Sequence, residues 1–123
     1  MQASVGYLAM DTTDPDEVVP FWCSVLDVEV AESIGDGQFV VLWPTADGFT
    51  VDFQRVPDGK KGKNRLHLDL VVEDLDEATA EIESLGGRWL EPGITRELEG
   101  FRWRYMADPE GNEFDLDTLP TAD

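Results

Sequence analysis

The residues of this sequence best suited to chemistry lie around its single histidine, His67. Between positions 66 and 72, leucines alternate with His67 and Asp69. This period of two is typical of a half-buried β-strand, because successive side chains point to opposite faces of a sheet. An imidazole nitrogen and a carboxylate on one face are ligands that divalent metal ions accept. A hydrogen-bonded pocket histidine without a metal would give the same pattern, so both interpretations stay open.

Further polar residues fall on the corresponding faces of other predicted strands. In the segments 49–56 and 113–116, apolar residues alternate with polar ones, so each strand has one apolar and one polar face. If the apolar faces meet helices, the polar faces form one concave surface. Its polar residues are Tyr7, Asp11, Asp52, Gln54, His67, Asp69, Asp115 and Asp117. So many carboxylates on one surface either lie in water or surround a cation.

The elements that would position these residues follow one order twice, β-α-β-β-β. Asp14 and Asp74 each precede an apolar stripe at helical spacing, and Tyr7 and His67 precede these two residues by the same number of positions. The predicted helices end near Leu26 and Leu85, and the longer connection at 93–100 is predicted to be a loop. The predicted strands are 5–10, 28–32, 38–43, 49–56, 66–72, 88–91, 101–106 and 113–116. We therefore predict one domain over residues 1–123, with module one at 1–56, a linker at 57–64 and module two at 65–118.

Composition limits the classes of partner. The chain has 123 residues and a formal net charge of −18, from 27 acidic and 9 basic residues. Nucleic acids and anionic membranes are repelled by such a surface, whereas cationic small molecules and metal ions are favoured. The acidity is also explained by solubility or by adaptation to high salt. No apolar run is long enough for a membrane helix and Cys23 is alone, so we expect a cytoplasmic protein without disulfides.

Four segments carry a family resemblance: DTTDPDEVVPFW, FQRVPDGKKGKNRLHLDLVVEDLDEA, LGGRW and MADPEGNEFDLD. In this order and spacing they resemble the vicinal oxygen chelate superfamily, and most closely its small glyoxalase-like domains. The resemblance implies an α+β fold of two tandem βαβββ modules that form curved mixed sheets, the glyoxalase, bleomycin-resistance and dioxygenase fold. It also implies that modules pair within or between chains, so a homodimer is expected.

The resemblance further implies where a metal site would lie. The family's ligand positions, on the first and last strands of each module, fall on Tyr7, Asp52, His67 and Asp115. Neutral tyrosine is a poor ligand, so the implied metal ligands are Asp52, His67 and Asp115, suited to Mn, Ni, Zn or Mg. Tyr7 or Gln54 would then contact a substrate or act in proton transfer.

Two functions remain open from the sequence. The first is a metal-free or weakly metal-binding protein that sequesters a drug or metabolite in an acidic cup. The second is a divalent-metal-dependent lyase, isomerase or dioxygenase of the superfamily. In either case a small-molecule ligand is expected, and Arg102 and Arg104 are candidates to pair with an anionic ligand or with the acidic surface. The full set of predicted ligand-binding residues is Asp69, Arg102, Trp103, Arg104 and Asp117.

Overall fold

The computed structural model describes residues 1–120 and shows an α+β architecture. In the described residues, two helices accompany nine strands arranged in two mixed sheets. The chain divides into two compact units, with the boundary between Gly59 and Lys60, and each unit has its own sheet and its own helix. The predicted fold class is confirmed. Neither helix is long and apolar enough to cross a membrane.

The first unit has the order β-α-β-β-β. Its sheet has the strand order β1-β4-β3-β2, in which β1 and β4 are parallel. Pro20 lies inside helix α1 at an exposed position and supplies no backbone N–H to the helix. The elements are β1 Leu8–Thr12, α1 Pro15–Leu26, β2 Val30–Ile34, β3 Phe39–Leu42 and β4 Val51–Arg55.

The apolar residues that alternate with polar ones along β4 form part of the core of the first unit. Val51 and Phe53 are buried and lie on the same side of the sheet as the buried apolar face of α1, which includes Val18 and Trp22. Asp52, between them in sequence, therefore points to the other face of the sheet. The predicted placement of the apolar residues of β4 against a helix is confirmed.

The second unit contains β5 Leu68–Val71, α2 Leu75–Ser84, β6 Arg88–Trp89, β7 Arg96–Leu98, β8 Phe101–Ala107 and β9 Glu113–Thr118. Its strand order is β5-β9-β8-β6, with β7 paired to β8. Asp74 caps α2, because its side chain accepts a hydrogen bond from the Glu77 N–H at 3.0 Å. Phe114 and Leu116 of β9 are buried beneath this helix.

Strand β7 corrects the prediction of a loop at 93–100. Leu98 and Phe101 are paired across Glu99 and Gly100, which have φ values of 51° and 86°. Two consecutive residues with positive φ are typical of a tight hairpin turn between antiparallel strands. All three residues of β7 are exposed, so the hydrophobic alternation that marks a half-buried strand is missing.

Candidate metal centre on the second unit

The candidate centre is built on the two parallel strands β5 and β9. Asp69 of β5 and Asp115 of β9 are directly paired, and alternation places both side chains on the sheet face opposite α2. We call this surface the carboxylate face; it also includes Asp117 and Glu113, the other residues of β9 with the same orientation. His67 lies just before the first residue of β5, one pleat from Asp69.

Three side chains converge on one point of the carboxylate face. His67 Nε2 lies 3.2 Å from Asp69 Oδ1 and 3.6 Å from Asp115 Oδ2. One potential ligand atom from each residue lies within 4.8 Å of the other two. Asp115 is buried, whereas the His67 and Asp69 side chains are 43% and 53% exposed, which leaves one side of the centre open to water or a ligand. An imidazole nitrogen and two carboxylate oxygens fit a divalent ion such as Mn²⁺ or Zn²⁺.

The carboxylates of this face carry an electrostatic cost. Burial raises the pKa of Asp115 to about 6, and the charges of Asp69 and Asp117 add to this, while His67 opposes it. Burial likewise raises the pKa of Asp117 to about 6, reinforced by Asp69. In the described structure, Asp117 Oδ1 is buried without a hydrogen-bond partner. Such crowded carboxylates are stabilised either by protons or by a bound cation.

An aromatic row runs beside the carboxylates. In the register of β8 and β9, Trp103 pairs with Asp117 and Tyr105 pairs with Asp115, so both aromatic side chains are on the carboxylate face. Arg96 of β7 pairs with Trp103, and its guanidinium lies 5.5 Å from the centre of the Tyr105 ring. Sequence reasoning identified Trp103 but missed Tyr105 and Arg96. Tyr105 could have been found from the sequence, because it follows Trp103 by two residues and therefore shares its face. Arg96 could not, because its position depends on strand β7, which the sequence did not predict.

The structure places Arg104 elsewhere than expected. Arg104 pairs in register with Leu116, so it lies on the buried helix side of the sheet. Its guanidinium donates to the Leu75 carbonyl and to Thr79 Oγ1 at 3.2 and 2.8 Å, and to Asp76 Oδ1 at 2.6 Å. Arg102 shares this orientation but is exposed. The hydrogen bonds of the Arg104 guanidinium go to α2, on the other side of the sheet from the carboxylate face, so Arg104 is not part of the proposed ligand site.

The remaining predicted site residues belong to the first unit. Asp52 is half-buried, and in the described residues its Oδ1 atom is buried without a hydrogen-bond partner. Gln54 lies on the same face of β4 as Asp52 and is exposed. Tyr7 is 62% exposed and precedes β1. The metal role of Asp52 and the catalytic roles of Tyr7 and Gln54 stay predictions.

Two units that each begin β-α-β, one of them with a histidine and carboxylates on the open face of its sheet, agree with the arrangement expected for the vicinal oxygen chelate superfamily. The family model of the glyoxalase-like domain matches residues 7–116. The chain therefore belongs to the glyoxalase-like domain family of the vicinal oxygen chelate superfamily. No curated protein sequence matches it.

Solved structures share this fold at low sequence identity. The fosfomycin resistance protein FosX from Listeria monocytogenes is 20% identical with a TM-score of 0.77, covering 97% of this chain and 93% of that chain. The same protein complexed with Mn(II) and sulfate is similar at 17% identity and a TM-score of 0.73, covering 97% and 94%. The oxidase ChaP-H2 is 21% identical with a TM-score of 0.70, covering 100% and 98%. These likenesses extend to the fold alone.

Proposed function

We propose that this protein binds a divalent metal ion weakly at His67, Asp69 and Asp115 and uses the site to bind a small oxygen-rich molecule. The observation that supports this is the convergence of one imidazole nitrogen and two carboxylates within 4.8 Å. The Mn(II) complex of FosX, a protein of the same fold, is consistent with it. Only three protein ligands come from this cluster, so water or substrate oxygens would complete the coordination.

An ion held by His67, Asp69 and Asp115 would supply Lewis acidity toward neighbouring oxygens of the substrate. The chain's own residues orient the substrate. Tyr105 and Trp103 offer flat aromatic surfaces beside the carboxylates, and the Tyr105 hydroxyl is a candidate proton donor. A lyase, isomerase or dioxygenase reaction is compatible with this arrangement.

Metal binding can be tested by calorimetry with Mn(II), Ni(II) and Zn(II). We expect one ion per chain, no binding after His67→Ala, and a loss of affinity of at least about tenfold after Asp69→Asn, since even the loss of a residue that only supports a ligand costs that much. The control is Glu73→Gln, which removes one negative charge, as Asp69→Asn does, at an exposed position of the same unit. If His67→Ala binds metal as the wild type does, the proposed site is wrong.

A second function is favoured by the aromatic row beside the carboxylates. Without a metal, Asp115 and Asp117 would pair with a cationic ligand while Trp103 and Tyr105 stack on its planar part, as in sequestration of a drug or metabolite. Tryptophan fluorescence titration with cationic aromatic compounds tests this. Saturable quenching that is lost in Asp117→Asn, in protein that does not bind metal, would favour sequestration over the metal-dependent function.

The remaining expectations rest on the family resemblance. We propose a homodimer, because members of the superfamily complete their sites by pairing modules within or between chains. Sedimentation equilibrium gives the mass directly, and a mass of 13.7 kDa at all concentrations would contradict a dimer. The expected location is the cytoplasm.

A further inference from the structure

All three lysines of the protein lie in one loop, at positions 60, 61 and 63, in a chain with a net charge of −18. This lysine loop, residues 60–64, contacts the first residue of β9. Lys60 Nζ lies 3.4 Å from Glu113 Oε1, and Lys63 Nζ contacts Glu113 Oε2. The Asn64 side-chain amide donates to the Glu113 carbonyl at 3.0 Å, which fixes the loop against the strand.

Two positive charges therefore meet a single carboxylate. Glu113 and Asp115 are alternate residues of β9, so their Cα atoms are about 7 Å apart and their side chains share the carboxylate face. The two ammonium groups lie at the edge of the carboxylate face, beside the candidate metal centre. They are opposite in sign to the rest of this face, which is acidic.

Lys63 is the lysine that can contact a ligand while it stays paired with Glu113. Its side chain is 72% exposed, against 23% for Lys60, so its ammonium has donors left for a second partner. The Asp115 carboxylate also attracts this ammonium. A cation bound at Asp115 would cancel part of the attraction that now holds Lys63 on the carboxylates.

We infer that Lys63 binds an anionic group of the ligand held at the metal centre. The ligand class is then a small anion, such as a dicarboxylate or a hydroxy acid, whose negative group extends beyond the oxygens that would meet the ion. This inference rests on the proposed metal function and specifies its substrate class. Lys63 acts as a specificity-determining residue, because it adds charge recognition at a point away from the ion.

Oxalate, a dianion that offers two neighbouring oxygens, is the probe. It is titrated calorimetrically into protein with a fixed excess of Mn(II), and the same titration without protein is subtracted. We expect Lys63→Ala to weaken oxalate binding about fivefold, the upper end for an exposed charge pair. Lys61→Ala, an equal charge change at an exposed position of the same loop, should alter it less than about twofold, since exposed charges are screened. Lys63→Arg should restore most of the affinity.

Glu113→Gln gives a test of opposite sign. The substitution removes the carboxylate that competes for Lys63, so oxalate should bind more tightly, at saturating Mn(II), than it does to wild type. A purely structural role of the Lys63–Glu113 pair predicts equal or weaker binding instead, and that result would overturn the inference. Equal losses in Lys63→Ala and Lys61→Ala would also overturn it, while leaving His67-dependent Mn(II) binding intact. Absence of Mn(II) binding would overturn both proposals.

Discussion

Strand register determines where the side chains of the carboxylate face lie, and their surroundings determine the pKa of each carboxyl group. Asp69 and Asp115 are neighbours because β5 and β9 are parallel and in register. Burial of Asp115 then makes its ionisation unfavourable, and the His67 imidazole only partly compensates. The pairing of β5 and β9 therefore creates a cluster that can hold a metal ion. It also lowers the free energy of unfolding when these carboxylates are ionised, and a bound cation would offset that loss.

This cost predicts an unusual pH dependence of stability. Asp115 and Asp117 have pKa values of about 6 in the folded protein, above the ordinary value of 3.8. The folded state therefore holds more protons than the unfolded state between these values, so stability falls as pH rises from 5 to 7. We expect a loss of about 1–3 kcal/mol over this range, measured by urea unfolding of metal-free protein.

Asp115→Asn tests which residue causes that slope. The neutral amide should raise stability at pH 7 and reduce the difference between pH 5 and pH 7, because one of the two titrating carboxylates is gone. Asp58→Asn, at an exposed position of the first unit, is the control and should leave the slope unchanged. A slope equal to that of wild type in Asp115→Asn would assign the effect to other groups.

Helix α2 is tied to its sheet by a buried polar contact. Arg104 of β8 bonds to the Leu75 carbonyl, Thr79 and Asp76, and its guanidinium lies 4.3 Å from the centre of the Trp89 ring. The charge is paired and stacked, which makes its burial tolerable. Arg104 thus links β8 to α2 and β6. Trp103 and Tyr105 of the candidate site lie on the same strand, β8.

We expect Arg104→Ala to destabilise the protein by about 2–3 kcal/mol, because Thr79 Oγ1 loses a buried donor and a cavity opens beside Trp89. Arg102→Ala removes the same charge from an exposed position of the same strand face and should cost less than about 0.5 kcal/mol. Urea unfolding followed by circular dichroism measures both. Similar losses in the two variants would mean that charge, and not the buried contact, matters.

The elements show what the sequence could and could not predict. Alternation identified the polar faces of β4 and β9, and the Asp74 cap with its apolar stripe identified α2, because these signals are local. Strand β7 was missed since its residues are all exposed, and Arg104 was misplaced because its face depends on the register between β8 and β9. Asp69 was predicted to bind a ligand, and only the distance to His67 shows that it can also hold a metal.

At the scale of the whole molecule, negative charges far outnumber positive ones and repel one another. The formal net charge is −18 over 123 residues, and the two helices have acidic residues in their first turns but no basic residue in their last turns. Acidic residues near the end of a helix oppose its dipole, as Glu81 and Glu83 do in α2. Such a chain gains stability when its charges are screened.

We therefore expect added NaCl to stabilise the protein. Raising NaCl from 0.05 to 0.5 M should raise the Tm by about 3–8 °C, equivalent to about 1 kcal/mol, since the Debye length shrinks to a few ångströms. Glu83→Lys should raise the Tm at low salt and make it less sensitive to NaCl, because the substitution favours the helix dipole and reduces the net charge. Glu83→Gln separates the loss of negative charge from the gain of positive charge. Scanning calorimetry measures all three proteins, and a Tm that falls with NaCl would show that ion pairs such as Lys63–Glu113 and Arg96–Glu91 outweigh the net repulsion.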